Sequence, residues 1–589
     1  MVVVLYKQYV RIKREKEMRW RERLSDGVRM RWVNPRVLYG VWVLALLLPN
    51  IALCFTEHQW SVWARMCNVV LPGAVYAGVA AFSRLLGRTV WLLFPFIFLA
   101  AFQLVLIYLF GGSIIAVDMF LNLVTTNPGE ALELLDNLMP AVVGVFVIYV
   151  PILVWGGWLW ARQQLLDSQF LRCQRQRAAV GVLVGGLCTL GSVCLDDEYE
   201  LQSELYPVNV CYNLYLAVER AGQSAAYPET SKDFTFQAQP THASTLPEVY
   251  VLVIGETARA CNWGLYGYER DTTPLLEKTD GLLVFPDVLT QSNTTHKSVP
   301  MLLSAATADH YDRICTQKGI ITAFKEAGFH TAFYSNQQPN HSFIDYFGEE
   351  ADDCRFIKQE AADGENVLDD RLLVLVRNKL KEGHAKLFIV LHMYGSHFNY
   401  RERYVPAQSV FRPDSLTDAN PENRPYLINA YDNTIRFTDY FLAMLMRDLQ
   451  SSAAASALLY TSDHGEDIYD DRRQRFLHAS PIPTYYQLHV PFLIWTSWVY
   501  RQRFPQEVAT LQTNLTRPLS SNATVFPTLL QLAGISTPYR QDSLSLASSV
   551  FQVTSRHYLD DHNQPRTLDK IGLHVLDVHK MQQRGLMFP

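Results

Sequence analysis

The sequence predicts a transmembrane domain of five helices followed by a soluble α/β domain with a mixed, mostly parallel sheet. The first reason is a change near residue 197: apolar spans dominate the chain before it, and a soluble α/β composition follows. The second is that short apolar strands alternate with helices from Glu248 onward, which is typical of parallel sheets covered by helices. The third is length, because 589 residues exceed what one hydrophobic core supports.

The charge balance excludes one class of function. The formal net charge is −5, charged residues make up 19% of the chain, and no basic tract follows the N-terminal tail. A nucleic-acid-binding protein needs a basic patch that neutralises phosphates. We therefore expect no nucleic-acid partner.

Five apolar segments in the first half are each near the ~20 residues that a helix needs to cross a bilayer. Buried helices of a soluble bundle would carry many more polar residues on their outer faces. The predicted spans are Val37–Phe55, Met66–Phe82, Val90–Phe110, Met139–Trp160 and Ala178–Leu195.

Charges in the connections between these spans predict their orientation. The tail up to Arg36 is rich in Lys and Arg, whereas the connection Gly111–Leu138 has no basic residue and contains Asp118, Glu130, Glu133 and Asp136. Basic connections stay in the cytoplasm, so we expect the tail inside and all residues beyond 197 outside. The length of the basic tail and of the first span argues against a cleavable signal sequence.

These patterns divide the chain into a cytoplasmic tail (1–36), a transmembrane domain (37–197), a linker (198–246) and a soluble domain (247–589). The linker contains a short amphipathic segment near Cys211–Ala221, which we expect to lie on the membrane surface. Outside the cytoplasm disulfides are allowed, and we suggest Cys315 with Cys354 as a pair, although connectivity cannot be deduced from sequence alone.

In the second half, short apolar runs predict strands and periodic segments predict helices. The predicted strands are Tyr250–Ile254, His330–Tyr334, Lys386–Leu391, Ala457–Thr461 and Pro491–Trp495. The predicted helices are Thr295–Leu303, Gly319–Ala327, Leu368–Lys381, Tyr426–Leu449 and Ala523–Leu532.

Acidic and imidazole side chains follow three of these strands. Glu256 follows the first, His392 and His397 follow the third in HMYGSH, and Asp463-His464 follows the fourth in SDHGE, with His478 a short loop later. Ligands of open α/β sheets bind at the carboxyl ends of strands, and mixed oxygen and nitrogen donors suit Zn²⁺ better than Mg²⁺ or Ca²⁺. Each histidine by itself is more often an ordinary surface or core residue, so their convergence carries the prediction.

A nucleophile is predicted in the polar turn SNTTHKSVP, Ser292–Pro300, which leads into an apolar helix start. Thr294 or Thr295 could simply be the N-cap of that helix. A helix N-terminus also receives phosphate through its backbone N–H groups, and a hydroxyl beside a metal is more easily deprotonated. Both interpretations remain open at this point.

Together these motifs resemble a known family. Five spans, GETAR followed by NWGLYGYERDTTPLL, a threonine-bearing turn ending in SVP, NAYDNT and SDHGE resemble the phosphoethanolamine transferases, which modify lipid A and lipopolysaccharide. Those enzymes belong to the alkaline phosphatase and sulfatase superfamily. The resemblance implies a sulfatase-like sandwich around the central sheet and a catalytic domain in the periplasm of a multi-pass bacterial inner-membrane protein.

The resemblance also implies roles for individual residues. It implies a metal site of Glu256, Thr295, Asp463 and His464, with Thr295 as the nucleophile. It implies catalytic roles for His397 and His478 and substrate contacts for Asn293, His341 and His392. One Zn²⁺ would be tightly bound, and a second one during turnover is left open. Two departures concern the acceptor: Gln291 and Met301 stand where relatives often have cysteines, and His341 stands where they have a lysine.

The implied reaction has two steps. Thr295 takes phosphoethanolamine from phosphatidylethanolamine, releases diacylglycerol, and passes the group to lipid A or the lipopolysaccharide core; a monomer would suffice. The alternatives are a glycerophosphate transferase of the lipoteichoic acid synthase kind, a phosphoethanolamine transferase acting on a periplasmic glycan, and a membrane sensor with a degenerate domain. A sulfatase is disfavoured because no CxPSR or SxPSR turn is present.

Overall fold

A computed structural model of the chain describes residues 34–55, 60–110, 116–125, 128–196, 199–242, 246–362 and 365–587. It separates into two compact units. The first comprises Met1–Ile115 and Leu138–Tyr212, and the second comprises Ala116–Asn137 and Asn213–Pro589. A short piece between two predicted spans therefore belongs to the unit that carries the soluble domain.

The first unit consists of apolar helices. Four are long and apolar enough to cross a membrane: Pro35–Leu53, Val62–Ala80, Met139–Ala161 and Ser168–Leu195. The third predicted span is broken instead: Leu86–Leu92 and the helix that begins at Phe94 are bent by 60°. Pro95 lies at the start of this second helix, and because proline lacks an N–H it cannot continue the hydrogen-bond ladder of the preceding one. Within the described residues the count is thus four spans, or five if the bent pair crosses as one.

The helices of this N-terminal part have the following bounds: Pro35–Leu53, Val62–Ala80, Leu86–Leu92, Phe94–Phe110, Val117–Thr125, Pro128–Ala161, Ser168–Leu195, Leu201–Glu204 and Val208–Thr230. The last one includes the predicted segment Cys211–Ala221 and is longer at both ends. Its location on a membrane surface stays a prediction.

The second unit is built on a seven-stranded mixed sheet. Its strands are β1 Glu248–Gly255, β2 Leu282–Val284, β3 His330–Ser335, β4 Asp353–Phe356, β5 Lys386–His392, β6 Ala455–Ser462 and β7 Phe492–Thr496. Their spatial order is β2-β7-β6-β1-β5-β3-β4. The pairs from β6 to β4 are parallel, whereas β7 is antiparallel to both β6 and β2. The prediction of a mixed, mostly parallel sheet is confirmed.

Strand β1 lies at the centre of this sheet and is buried over its whole length. Its alternate residues pack into two separate cores: Tyr250, Leu252 and Ile254 on one face, and Val249, Val251 and Val253 on the other. A strand covered by helices on both faces has to be apolar at every position. This is why the run that precedes Glu256 is continuous rather than alternating.

Helices cover both faces of the sheet. They are Thr295–Leu302, Ile320–Glu326, Phe343–Glu349, Ile357–Glu360, Asp370–Lys381, Arg424–Ser451, Trp498–Arg503, Pro505–Thr513 and Ser521–Leu532. The helices Tyr485–Leu488 and Val575–Gln583 pack in a separate apolar cluster. Four two-stranded ladders complete the unit: Gln239–Pro240 with Ile535–Ser536, Val288–Leu289 with Leu519–Ser520, Asp467–Ile468 with Phe476–Leu477, and His557–Leu559 with Pro565–Thr567.

The five predicted strands and five predicted helices of this unit are all present, with ends shifted by a few residues. Strands β2 and β4, the two edge strands of the sheet, were not predicted from the sequence. Both are only three or four residues long and half-buried, so neither shows the apolar run by which central strands are recognised. The suggested disulfide is wrong: Cys315 and Cys354 are both free thiols, on a 3-10 turn and on an edge strand respectively.

Candidate active site

The register of the sheet brings the predicted strand ends together. Ile254 of β1 lies opposite His392 of β5, and Gly255 lies opposite Ser462 of β6. Glu256 and Asp463 are the residues that follow β1 and β6, so the two carboxylates leave neighbouring strands at the same edge. This places the first two predicted metal ligands side by side.

The hydroxyl of Thr295 lies against these groups. Its Oγ1 is 3.3 and 3.4 Å from the two carboxylate oxygens of Glu256 and 3.1 Å from Nε2 of His464. The same nitrogen of His464 is 3.1 Å from Oδ2 of Asp463 and 3.6 Å from Oε1 of Glu256. Donor atoms of all four predicted metal ligands therefore converge on one position.

The Asp463 carboxylate has one oxygen held by the protein and one oxygen without a hydrogen-bond partner. Oδ1 accepts hydrogen bonds from the backbone N–H groups of Thr257 and His464 at 3.1 and 2.7 Å. Among the described residues Oδ2 is buried and accepts no hydrogen bond of normal geometry, although the nearby Thr295 hydroxyl works to lower the pKa of this carboxyl. A buried carboxylate oxygen left unsatisfied is costly, and this one points at the position that the other donors share.

This donor set fits a tetrahedrally coordinated zinc ion. Ligands about 2.0–2.1 Å from Zn²⁺ in tetrahedral geometry lie ~3.3 Å apart, and the four distances measured here are 3.1, 3.1, 3.3 and 3.6 Å. Burial raises the pKa of Glu256, and burial together with the charge of Glu256 raises the pKa of Asp463 well above its ordinary value. Two buried carboxylates that destabilise each other's charge are what a dication would stabilise.

Thr295 is the first residue of an eight-residue helix, Thr295–Leu302. Thr294 occupies the N-cap position, but its side chain makes no capping hydrogen bond. Ser298 of this helix bonds to two residues outside it. Its hydroxyl donates to the backbone oxygen of Asp463 at 2.6 Å and accepts from Asn522 at 2.9 Å. The nucleophile candidate is thus tied to the strand end that carries the ligands.

Two further histidines, His397 and His478, lie beside the cluster that contains His464. Burial, followed by the charge of a neighbouring histidine or arginine, lowers the pKa of His464 and His397 well below the ordinary value. Burial also lowers the pKa of His478. The ring centroid of His478 lies 4.2 Å from that of His464 and 6.1 Å from that of His397. A neutral imidazole can accept a proton, so His397 and His478 are the candidates for a base.

His478 belongs to a second set of side chains that could hold a metal ion together with Glu256 and His464. Single ligand atoms of Glu256, His464 and His478 lie within 4.8 Å of one another. His478 is held from behind by Glu466, whose Oε2 is 3.5 Å from its Nδ1, and Glu466 accepts a hydrogen bond from the hydroxyl of Tyr400. Glu466 is the last residue of the SDHGE motif, but no sequence pattern indicates that its carboxylate contacts His478.

Gln337 is a site residue that the sequence analysis missed. Its Nε2 donates to Oε2 of Glu256 at 2.9 Å and to the backbone oxygen of Met393 at 3.0 Å, and it lies 3.2 Å from Nε2 of His392. His392 is buried, which lowers its pKa to about 4, and it reaches the cluster through Gln337. A glutamine in a polar loop after a strand carries no motif that would have identified it.

The structure places the other two predicted substrate contacts differently. The Asn293 amide is buried: Nδ2 donates to Gln487 and to the Ser480 backbone at 2.7 and 2.8 Å, and Oδ1 accepts from Tyr558 at 2.7 Å. It fastens the turn before Thr295 to the loop after His478. His341 is exposed, and its backbone N–H bonds to Asp345. Substrate contacts of both residues stay predictions.

A buried ion network lies next to the nucleophile. Asp118 pairs with Lys297 and Arg220, each at 3.1 Å, and accepts a hydrogen bond from the hydroxyl of Thr294 at 3.2 Å. Burial works to raise the pKa of Asp118, but the charges of Lys297 and Arg220 hold it below its ordinary value. The backbone N–H of Val117 donates to the Asp561 carboxylate at 2.9 and 3.0 Å. Adjacent threonines therefore face different groups.

Comparison with known proteins agrees with these observations. Residues 248–535 match the family model described as Sulfatase. A phosphoethanolamine transferase EptC from Escherichia coli is 30% identical over 326 residues, which cover 53% of this chain and 55% of that relative. A Kdo(2)-lipid A phosphoethanolamine 7''-transferase from Salmonella typhimurium is 25% identical over 484 residues, which cover 75% of this chain and 82% of the relative. The chain thus spans about half the length of most of the curated relatives it matches.

Solved structures share the fold. The full-length lipooligosaccharide phosphoethanolamine transferase A from Neisseria meningitidis aligns with a TM-score of 0.67 at 23% identity, covering 85% of this chain and 97% of that one. The periplasmic domain of EptC from Escherichia coli in complex with Zn aligns with a TM-score of 0.52 at 27% identity, covering 56% of this chain and 95% of that one. The predicted fold and the predicted resemblance are confirmed.

Proposed function

We propose that this chain, which carries a sulfatase domain and is similar to the phosphoethanolamine transferases, transfers phosphoethanolamine from phosphatidylethanolamine to lipid A or the lipopolysaccharide core. The observation that carries this proposal is the position of the Thr295 hydroxyl, 3.1–3.4 Å from Glu256 and His464. A hydroxyl in contact with a metal-ligand set, at the start of a helix, is suited to covalent group transfer. The names of the relatives in the comparison support the choice of group and acceptor.

The residues that would hold the metal are Glu256, Thr295, Asp463 and His464. A bound Zn²⁺ would lower the pKa of the Thr295 hydroxyl and stabilise negative charge on the phosphoryl oxygens. The unsatisfied Oδ2 of Asp463 supports a cation at this position, as does the Zn complex of the relative. We expect one tightly bound ion, and His478 is close enough to Glu256 and His464 to contact it or a second one.

In the first step Thr295 Oγ1 attacks phosphorus. A bond forms between this oxygen and phosphorus, the bond from phosphorus to the glycerol oxygen breaks, and diacylglycerol leaves. The proton lost from the threonine hydroxyl has to reach the departing glycerol oxygen. His478 and His397 have lowered pKa values, so each starts as a neutral base that can take up this proton and donate it.

In the second step an oxygen of the acceptor attacks the same phosphorus. The bond from phosphorus to Thr295 Oγ1 breaks, and the threonine oxygen takes back a proton while a neutral histidine accepts the one released by the acceptor. A water molecule in place of the acceptor would give hydrolysis, so transfer requires the acceptor to be bound at the site. The apolar helices serve this need, because both substrates are lipids of a membrane. We propose an inner-membrane location with the catalytic unit in the periplasm.

The covalent intermediate gives the decisive experiment. The full-length protein incubated with phosphatidylethanolamine and no acceptor should accumulate a phosphoethanolamine adduct that peptide mass spectrometry assigns to Thr295. Thr295→Ala should form no adduct and lose transfer, whereas Thr294→Ala should still form it. An adduct on Thr294 or Ser298, or undiminished transfer by Thr295→Ala, would overturn the proposed nucleophile.

Metal content and product identity test the rest. Alanine at Glu256, Asp463 or His464 should lower bound zinc and abolish transfer while the sheet stays folded, as judged by circular dichroism. Full zinc occupancy in Asp463→Ala would remove that residue from the site.

Mass spectrometry of lipid A and core from a deletion strain should show a loss of phosphoethanolamine, and an unchanged pattern would exclude both acceptors.

A further inference from the structure

A second group of side chains that could hold a metal ion lies at the amino ends of two strands of the sheet. His330 is the first residue of β3, and His384 and Glu382 precede β5, which pairs with β3 in parallel. The catalytic residues follow the carboxyl ends of the strands, whereas this group lies at their amino ends. Strand β3 has six residues, and strands rise ~3.3 Å per residue, so the two places are roughly 20 Å apart.

The three side chains offer converging ligand atoms. One nitrogen of His330, one nitrogen of His384 and one carboxylate oxygen of Glu382 lie within 4.8 Å of one another. The two rings are stacked with centroids 3.9 Å apart and planes only 11° from parallel, so one ring has to rotate for both nitrogens to point at a shared ion. Gly383, between the other two residues, has a φ of 74°, a turn that only glycine adopts freely. It directs Glu382 and His384 to the same side, where His384 Nε2 is 2.8 Å from a Glu382 oxygen.

The ring of His330 carries the second, independent sign of a ligand. Its Nε2 is buried and has no hydrogen-bond partner among the residues that the structure describes, although an imidazole nitrogen in protein normally finds one. On the other side of the ring, Nδ1 lies 3.6 Å from Oδ2 of Asp352, and Asp352 is itself fixed by Thr331 and Lys325. Metal-bound histidines usually have a carboxylate behind the ring that orients the free nitrogen toward the ion.

We propose that His330, His384 and Glu382 form a second metal site for a zinc-class dication that joins the amino ends of β3 and β5. Two imidazoles and one carboxylate are a donor set that Zn²⁺ accepts, with a fourth position left for water. The side chains are partly exposed, at 29% for each histidine and 46% for Glu382, so an ion can enter from solvent. The site would stabilise the fold and take no part in transfer.

A neighbouring lysine lowers the expected zinc affinity of this second site relative to the candidate active site. The ammonium of Lys379 lies 3.1 Å from the Glu382 carboxylate and 2.7 Å from that of Asp353. It holds Glu382 in place but offsets part of its negative charge. The catalytic cluster has two buried carboxylates and an unsatisfied oxygen, so we expect it to bind zinc more tightly than this second site.

The test separates the two sites in the full-length protein without an affinity tag. Metal-free protein in detergent is titrated with chelator-buffered Zn²⁺, and bound zinc is counted per chain. Wild type should bind a tight ion and a weaker one. His330→Gln and His384→Gln should each lose the weaker ion and keep the tight ion and transfer activity. Asp463→Ala should lose the tight ion and keep the weaker one, so the failure of either site is seen separately.

Two further measurements make the outcome decisive. In the Asp463→Ala background, Co²⁺ should give visible absorption bands of nitrogen coordination that disappear in His330→Gln, and Zn²⁺ should raise the unfolding midpoint only when His330 is present. His579→Gln, a change at another exposed histidine, is the matched control and should retain both ions. Unchanged weaker binding in His330→Gln and His384→Gln, with both variants folded, would overturn the proposal.

Discussion

The two adjacent threonines before the SVP run, Thr294 and Thr295, have hydroxyl groups with different partners. The hydroxyl of Thr295 faces Glu256 and His464, whereas the hydroxyl of Thr294 faces Asp118. Thr294 holds the N-cap position without a capping bond from its side chain. Its contribution to stability therefore has to come from the bond to Asp118 and not from the helix end.

This difference predicts opposite effects of two similar substitutions. Thr294→Ala removes a hydrogen bond to a buried carboxylate and should cost about 1.5–3 kcal/mol of stability, with transfer largely retained. Thr294→Ser keeps the hydroxyl and should restore most of that loss. Thermal unfolding and transfer assays measure the two effects. A loss of transfer in Thr294→Ala as complete as in Thr295→Ala would contradict this assignment of roles.

Asp439 predicts a dependence of stability on pH away from the candidate active site. Its carboxylate accepts hydrogen bonds from the N–H groups of Leu275 and Leu276 at 3.1 and 2.8 Å, but burial raises its pKa to about 6. An acid whose pKa is raised by folding stabilises the folded state below its unfolded pKa. That stability is lost as the pH rises through the folded value.

Wild type should therefore lose stability relative to Asp439→Asn as the pH rises from about 4 to 6, by roughly 2–3 kcal/mol at most, and the difference should be level above that range. Unfolding midpoints of both proteins measured across this range provide the check. Parallel curves for the two proteins would show that Asp439 titrates normally in the folded state.

At the scale of elements, the first half of the helix Thr295–Leu302 is held by residues distant in sequence. Ser298 bonds to the end of β6 and to Asn522, and Lys297 pairs with Asp118 from the helix Val117–Thr125. Lys297 also donates to the backbone oxygen of Asp560 at 2.8 Å. The orientation of the Thr295 hydroxyl is therefore maintained by several elements and not by its own short helix.

Breaking the Asp118 pairs should destabilise the second unit strongly. Asp118→Ala leaves Lys297 buried without its charge partner, and removing one member of a buried ion pair costs about 3–5 kcal/mol. The double variant Asp118→Asn/Lys297→Met removes both charges and should be less destabilised than Asp118→Ala. Unfolding of the three proteins in detergent measures this order. Equal stability of Asp118→Ala and wild type would show that the pairs contribute nothing.

At the scale of the whole molecule, the chain combines an apolar helical unit with a unit built on a mixed sheet. The piece Ala116–Asn137 belongs to the second unit although it lies between predicted spans in the sequence. The charge pattern of the connections predicts that this piece and all residues beyond 197 are on the same side of the membrane. That side is the outside of the cytoplasmic membrane.

A reporter experiment tests this topology. Alkaline phosphatase fused after residue 197 should be active, because the enzyme folds only outside the cytoplasm, and the same reporter fused after Arg177 should be inactive. A fusion within the connection near Asp118 should be active as well. The reverse pattern would place the second unit in the cytoplasm and remove the basis for lipopolysaccharide as the proposed acceptor.

Local patterns in the sequence were sufficient for five of the seven strands of the sheet, the long helices, four of the apolar spans and the residue types at the strand ends. These features depend on a period of apolar residues or on a short motif, both of which lie within a few neighbouring positions. For the same reason the sequence places Glu256, Asp463 and His464 at predicted strand ends, and the resemblance to the phosphoethanolamine transferases implies that they share a metal. The two edge strands were not predicted because three or four half-buried residues form no apolar run. The break in the third span was not predicted because the residues on both sides of Pro95 form one continuous apolar segment.

Only the tertiary structure decided which hydroxyl faces the ligands, that Gln337 bonds to Glu256, and that Asp118 pairs with Lys297. It also brought His330 and His384 together from two neighbouring strands. Each of these contacts joins segments far apart in the chain. Their geometry depends on strand register and on the packing of helices against the sheet, and neither quantity leaves a periodic trace in the sequence.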